Sequence, residues 1–171
     1  ERYEHELGWT MVEQPHGFRR VVPSPQPKEI IELEAIRACV DRGLVVIAGG
    51  GGGIPVFNDH DISKGVEAVI DKDLTSAILA SQLEADVLAI ATGEEYVYID
   101  YGKPTQHAAP HLTLDECVRL LGEGQFPEGS MGPKIHAAMT YLERGGKEAV
   151  ITDAEHLLKA IITYFVKAIA L

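Results

Sequence analysis

At 171 residues, 46% hydrophobic and 24% charged, the chain has the make-up of one globular domain with a real core, not of a disordered segment. Its formal net charge of −11 argues against broad electrostatic binding to nucleic acid or to an anionic membrane, yet leaves room for an anionic ligand held by a few converging lysines. The two cysteines, Cys39 and Cys117, form neither a disulfide framework nor a metal spacing and point to a reducing, cytoplasmic setting.

The chain opens on Glu1-Arg2-Tyr3-Glu4-His5 without an initiating Met and reads as a piece of something longer. Residues 1–22 are charged and aromatic-bearing, and the alternation around Arg19-Arg20-Val21-Val22 predicts a short strand or hairpin. Pro23, Pro25 and Pro27 then fix φ at alternate positions and mark a stiff boundary before a larger lobe, residues 23–171. Ile30, Ile31, Leu33, Ile36 and Val40 share a helical face, and Gly43 supplies the stop. Next comes the apolar run Leu44-Val45-Val46-Ile47-Ala48, read as a buried strand feeding five glycines at 49–53.

A second short apolar stretch, residues 66–70, leads into Asp71-Lys72-Asp73 at the start of a helix carrying Leu74, Ala77, Ile78 and Leu83. Residues 86–91 predict a buried strand, and 96–99 another, in the manner of a hairpin partner. A polar, Pro-containing connection leads to a helix over 114–121. Gly129-Ser130-Met131-Gly132-Pro133-Lys134 opens a helix running to about Arg144, with Ser130 as N-cap. Residues 148–151 read as a last strand, and Asp153 caps a final helix. The apolar tail from Ile161, broken by Lys167, reads as a docking helix or strand, since no apolar run reaches the roughly 18 residues needed to span a bilayer. Strands alternating with helices through short loops predict an α/β fold with a largely parallel sheet. In such folds ligands bind beyond the carboxyl ends of the strands, which is where the glycine loop falls.

Glycine lacks a Cβ, so the loop at 49–53 can take φ > 0 and bring backbone N–H groups close to an anion. It reads either as a tight turn or as a phosphate cradle, and it is not a Walker A loop because no Gly-Lys-Ser/Thr follows. Lys72, flanked by Asp71 and Asp73, is either a solvated ion pair or a lysine held in place by carboxylates at a helix start that favours anions. Lys134 stands in a second helix-opening turn, against the macrodipole, and an anionic ligand would relieve that. Together these groups suit phosphoryl transfer, which needs positioning and positive charge more than covalent help. Thr92-Gly93-Glu94-Glu95 lies at another strand end and reads as a polar turn or as the edge of a nucleotide pocket. His5, His16, His60, His107, His111, His136 and His156 lack metal spacing, and no metal-ligand set is assigned.

Trp9-Thr10, Arg19-Arg20-Val21-Val22-Pro23-Ser24-Pro25 and Gly50-Gly51-Gly52-Gly53-Ile54-Pro55-Val56 are followed by Glu67-Ala68-Val69-Ile70-Asp71-Lys72-Asp73-Leu74, Gly102-Lys103-Pro104 and Gly129-Ser130-Met131-Gly132-Pro133-Lys134. In this order they resemble carbamate kinase, of the amino acid kinase fold. The resemblance implies a three-layer α/β/α sandwich, partial in this chain, and a homodimer. It also implies interconversion of ATP plus carbamate with ADP plus carbamoyl phosphate, using Mg²⁺, a reaction run toward ATP in arginine-fermenting organisms. By the same resemblance Lys72 contacts the transferred phosphoryl group, Asp73 orients the lysines and Lys134 meets the nucleotide's phosphates. Gly50, Gly51, Gly52 and Gly53 lie near the reacting groups, and Asp71, Thr92, Ser130, Met131 and Gly132 attend the nucleotide.

A complete member is nearly twice this long, and its amino-terminal half holds a Gly-Gly-Asn loop and most of a protruding subdomain, of which residues 1–22 resemble only the end. Many members carry Thr-Asp-Val-Asp where this chain has Thr92-Gly93-Glu94-Glu95, and the tail lacks the usual Gly-Thr ending. The expectation is the nucleotide-binding half of a carbamate kinase, partnered by the missing half or by a second copy and independent of nucleic acid and membrane. The alternatives are a catalytically inactive nucleotide-binding or assembly subunit, or an amino acid kinase acting on a different acid or a nucleotide.

Overall fold

The computed structural model describes residues 2–59 and 62–169, so His60 lies outside the described residues. Helix α1 (Arg2–Leu7) ends at Gly8, with φ +65°, and its Tyr3 ring stacks on Trp9 at 5.4 Å. Strands β1 (Thr10–Gln14) and β2 (Gly17–Val21) form the expected antiparallel hairpin, pairing Thr10 with Val21 and Gln14 with Gly17. The Arg20 guanidinium sits 4.3 Å from the Trp9 ring centre and 3.0 Å from Glu67, which ties this hairpin to the main lobe. Past the prolines, α2 (Leu33–Val40) starts a few residues later than its apolar face suggests and is followed by Gly43 at φ +76°.

Strands β3 (Val56–Asp59) and β4 (Ile62–Gly65) form a second antiparallel hairpin that the sequence pattern does not announce. Helix α3 (Lys72–Gln82) leads into β5 (Val87–Thr92). Strand β6 (Val97–Ile99) forms a hairpin not with β5, the strand that precedes it, but with β7 (His107–Ala109), inside what reads as a polar connection. Helix α4 (Leu114–Gly122) starts at a capping box in which Thr113 and Glu116 satisfy each other's backbone N–H groups. Helix α5 (Met131–Glu143) is followed by β8 (Glu148–Asp153) and α6 (Ala154–Ile169).

Strand β8 runs parallel to β5, from Val87 opposite Glu148 to Thr92 opposite Asp153. This is the parallel pair at the centre of the α/β fold, and the other three pairings among the described residues are antiparallel hairpins. Leu88 and Ile90 point from β5 into a core with Ala77 of α3 and Ala137 and Tyr141 of α5, where Tyr141 is fully buried. Ala149 and Ile151 of β8, the register partners of Leu88 and Ile90, pack on the same cluster, as the two-residue period of a strand requires. A second cluster of Val97, Leu120, Phe126 and Ile135 joins α5 to α4 and β6. Helix α6 packs on both parallel strands and completes the layering. Among the described residues, no helix is long and apolar enough to cross a membrane.

Two further local expectations change. The strand expected over 44–48 is not formed: Val45 and Ile47 are each 96% exposed, and among the described residues no strand lies alongside to share hydrogen bonds. Ser130 stands at the N-cap of α5 with φ −142° and ψ −83°, outside capping geometry, and its side chain makes no capping bond. By contrast Asp153 does cap α6, accepting the His156 N–H at 2.8 Å.

His156 also pins α6 by charge. Its Nδ1 lies 2.9 Å from Asp153 and its Nε2 3.5 Å from Glu95. The hydrogen bond to Asp153 raises the imidazole above its usual 6.5, and the bonds from His156 hold Asp153 below its usual 3.8. The raised His pKa gives stability that is complete below 6.5 and lost as pH rises through the folded value. The lowered Asp pKa gives stability present above 3.8 and lost as pH falls through the folded value. Thermal unfolding between pH 6 and 8 is therefore expected to show stability declining with pH, and His156→Gln to flatten that decline; an unchanged slope in the variant refutes the pin.

Candidate active site

Helix α3 begins where the Asp71 carboxylate accepts the backbone N–H groups of Asp73 at 2.8 Å and Leu74 at 3.2 Å. Asp71 thus works as the helix cap, while the next two residues, Lys72 and Asp73, turn toward a shared centre. Asp73 is buried, at 6% exposure. One of its oxygens lies 2.8 Å from Nζ of Lys134 on α5 and the other 3.7 Å from Nζ of Lys72. Packing of α3 on α5 brings together two lysines that are 62 residues apart in sequence (134 − 72). Lys134 is not the unpartnered lysine its position in the helix suggests; Asp73 supplies the counter-charge that the helix start denies it.

The two lysines differ in setting. The Lys134 side chain is only 12% exposed, whereas that of Lys72 is 59% exposed. Lys134 and Asp73 form a nearly buried ion pair, and Lys72 carries its charge into solvent from the start of α3.

The glycine loop is fastened to the start of α3. Gly52 donates its N–H to the Gly49 carbonyl at 2.8 Å, forming a turn, and its own carbonyl accepts the Thr75 hydroxyl at 2.7 Å. Gly52 has φ +134°, and a Cβ there would stand 1.9 Å from the Ile70 carbonyl oxygen. No other residue type fits this approach. Gly50, with φ +49°, and Gly53, with φ +87°, have open space around them, as does Gly51. Thr75 carries no signal in sequence beyond its place in the first turn of α3, yet it is the buried link between loop and lysines.

Beyond the carboxyl end of β5 lies a cavity of about 260 Å³ whose lining includes Thr92, Glu94, Tyr98, Tyr101, Phe126, Ser130 and Met131. Of the residues singled out from sequence, Thr92, Gly93, Glu94, Ser130 and Met131 line it, and Gly132 is buried beside it, its N–H donating to the Pro127 carbonyl at 2.9 Å. Met131 and Lys134 are three apart at the start of α5, so the cavity and the lysine centre adjoin along one helix face. The tyrosines and Phe126 were not anticipated. The spacing Tyr96, Tyr98, Tyr101 is their one visible sign, and the Tyr98 and Tyr101 rings stand 6.1 Å apart. The Tyr101 hydroxyl donates to Glu94 at 2.7 Å, and that bond raises the phenol pKa.

One wall of the cavity is braced by Asp100, a left-handed residue with φ +54°. Hydrogen bonds from Lys103, Thr105 and Gln125 hold its carboxyl at about 2. Gln125, which lines the cavity, in turn accepts the Asp100 N–H at 2.9 Å. A larger groove of about 690 Å³ along β8 contains none of Lys72, Asp73 and Lys134.

Residues 8–153 match the amino acid kinase family. The chain belongs to that family. As an amino acid kinase family member it is 47% identical over 152 residues to carbamate kinase 3 of Staphylococcus aureus, covering 88% of this chain and 49% of that protein. It is 50% identical over 155 residues to a carbamate kinase-like protein of Escherichia coli, covering 90% of this chain and 49% of that one. The structure superimposes on the carbamate kinase of Giardia lamblia bound to AMP-PNP with a TM-score of 0.87 and 37% identity, over 94% of this chain and 51% of that chain. The chain spans about half the length of the curated relatives it matches. These likenesses support an α/β amino acid kinase fold.

Proposed function

We propose that the chain binds ATP or ADP and supplies the nucleotide-binding part of a centre that transfers a phosphoryl group between ATP and carbamate, giving ADP and carbamoyl phosphate. The observation that carries this reading is the pair of lysines from two helices converging on one buried aspartate beside the glycine loop. A phosphoryl group in transfer spreads negative charge over its oxygens, and fixed cations that need no rearrangement stabilise that charge. Lys134, anchored by Asp73, meets the nucleotide's phosphates, and Lys72 reaches the transferred group. Gly50, Gly51 and Gly53, free of side chains and unobstructed, let the backbone close on the same oxygens. The adenine ring is an aromatic, largely apolar body that suits the cavity of Tyr98, Phe126 and Met131.

Mg²⁺ would enter with the nucleotide and add to the neutralisation of phosphate charge by Lys72 and Lys134; among the described residues no group of three His, Cys, Asp or Glu side chains could hold a metal ion. Carbamate as acceptor, a cytoplasmic setting and a dimeric assembly belong to this same proposal, motivated by the carbamate kinases the chain resembles.

Calorimetric titration with ADP tests the nucleotide step. The wild-type chain is expected to bind ADP, and Lys134→Met to weaken binding by about 10- to 100-fold, the value of a lost charge-assisted contact. A wild-type chain that binds no ADP sinks the proposal. The half-length match favours one further reading, nucleotide binding without turnover. ADP binding with no ATP formed from carbamoyl phosphate, even beside the unmatched half of a carbamate kinase, would select it.

A further inference from the structure

Gly102-Lys103-Pro104 takes no part in the phosphate centre, yet the turn around it is densely hydrogen-bonded. Lys103 donates its N–H to the Asp100 carbonyl at 2.9 Å, and Gln106 donates its own to the Lys103 carbonyl at 3.0 Å. The Gln106 side-chain oxygen accepts the Gly102 N–H at 2.7 Å. The Asp100 carboxylate accepts from Lys103 Nζ at 2.8 Å and from the Thr105 hydroxyl at 2.9 Å. Tyr101 stands between two left-handed residues, Asp100 at φ +54° and Gly102 at φ +78°, so its direction is set from both sides. Its hydroxyl donates to one oxygen of Glu94 at 2.7 Å, and both residues line the cavity at the end of β5. An ionised carboxylate has roughly four acceptor positions, so this one bond orients Glu94 and leaves most of its capacity for a ligand.

We infer that Glu94 is a specificity-determining residue, which accepts hydrogen bonds from the ribose hydroxyls of a bound nucleotide and so selects an intact 2′,3′-diol. The inference rests on the nucleotide reading above and adds what chooses the sugar. Burial orders the cavity from floor to rim: Phe126 is 5% exposed, whereas Tyr101, which holds Glu94, is 53% exposed. Among the described residues that line it, none is Lys, Arg or His, so Glu94 makes the cavity negative and turns phosphate away. The phosphates are left to Lys72 and Lys134 outside it. With the base on the aromatic floor and the phosphates on the lysines, the sugar comes to lie between them, at the rim where Glu94 stands. A carboxylate accepts and does not donate, and vicinal hydroxyls offer it two donors side by side. Glu94 is the third residue of Thr92-Gly93-Glu94-Glu95, where the pattern Thr-Asp-Val-Asp has an apolar Val without an acceptor. The turn at 100–106 thereby gains a purpose, since it aims the hydroxyl that orients this carboxylate.

Calorimetric titration of the intact chain with ADP, 2′,3′-dideoxy-ADP and IDP tests it. The wild type is expected to bind ADP about 10- to 100-fold more tightly than the dideoxy nucleotide, the range of a lost hydrogen bond to a charged group. Glu94→Ala is expected to bind ADP about as weakly as the wild type binds the dideoxy nucleotide, and to show no preference between the two. The same loss is expected with IDP, which keeps the diol and lacks the 6-amino group. The half-exposed position of Glu94 allows the variant a melting temperature within about 2 °C of wild type. Tyr101→Phe keeps the ring and removes only the hydroxyl, and is expected to narrow the preference to an intermediate value. Equal wild-type affinities for ADP and dideoxy-ADP overturn the inference and leave nucleotide binding standing. So does a Glu94→Ala variant that keeps the full preference, and so does a loss seen with ADP but not with IDP, which assigns the carboxylate to the base. A wild-type chain that binds none of the three sinks the nucleotide reading, and this inference with it.

Discussion

Asp73→Asn is expected to lower the unfolding free energy by about 2–4 kcal/mol, because it strips the counter-charge from a lysine that remains buried. The amide keeps the shape of the carboxylate, so the loss reports charge rather than a cavity. Lys134, with a side chain 12% exposed, is left as an uncompensated cation, whereas Lys72, 59% exposed, is rescued by water and contributes little. Removing both charges in Asp73→Asn with Lys134→Met is expected to recover at least about half of the loss, since an apolar replacement of a buried pair is commonly near neutral. Urea denaturation of wild type, Asp73→Asn, Lys134→Met and the double variant closes the cycle. A single variant within about 0.5 kcal/mol of wild type would show that the pair carries no net structural weight. In ADP titration the single variant is expected to bind about tenfold more weakly, because the lysines lose the carboxylate that holds them in place.

Gly52→Ala is expected to cost about 3 kcal/mol or more, or to displace the glycine loop outright. Its Cβ would stand 1.9 Å from the Ile70 carbonyl oxygen, and φ +134° is a conformation that an L side chain rarely adopts. The Thr75 hydroxyl bond to the Gly52 carbonyl would be lost with it. Gly51→Ala is the matched control, with no atom within 4 Å of its Cβ and no positive φ, and is expected to change stability by less than about 0.5 kcal/mol. Equal destabilisation of the two variants would refute the fastening of this loop through Gly52. ADP binding by the Gly52 variant is expected to fall along with stability, since the loop and the start of α3 are one unit.

Much of this architecture is legible along the chain because its causes are local. Gly43 ends α2 because glycine takes φ +76° freely, and Thr113 with Glu116 starts α4 through two reciprocal backbone bonds. Asp71 caps α3, and the apolar runs of β5 and β8 suffice to recognise buried strands. The β3–β4 hairpin is not legible, since Val56-Phe57-Asn58-Asp59 has no two-residue apolar period. Strand β7 hides in a polar stretch because its pairing with β6, not its own side chains, defines it. The Tyr98, Tyr101 and Phe126 cavity escapes notice because Phe126 lies far along the chain from the two tyrosines, and all three read as core until the fold places them around a space.

Residue types and their order are enough to nominate Lys72, Asp73, Lys134 and the glycines for phosphate chemistry, since glycine conformation, helix starts and charge are properties of short segments. Which of those groups touch is a matter of packing. Asp73 holds Lys134 at 2.8 Å and Lys72 at 3.7 Å because α3 and α5 lie side by side, and no local rule states that they do. The run at 44–48 shows the opposite case: its composition is that of a buried strand, yet burial needs neighbours, and among the described residues none stands beside it.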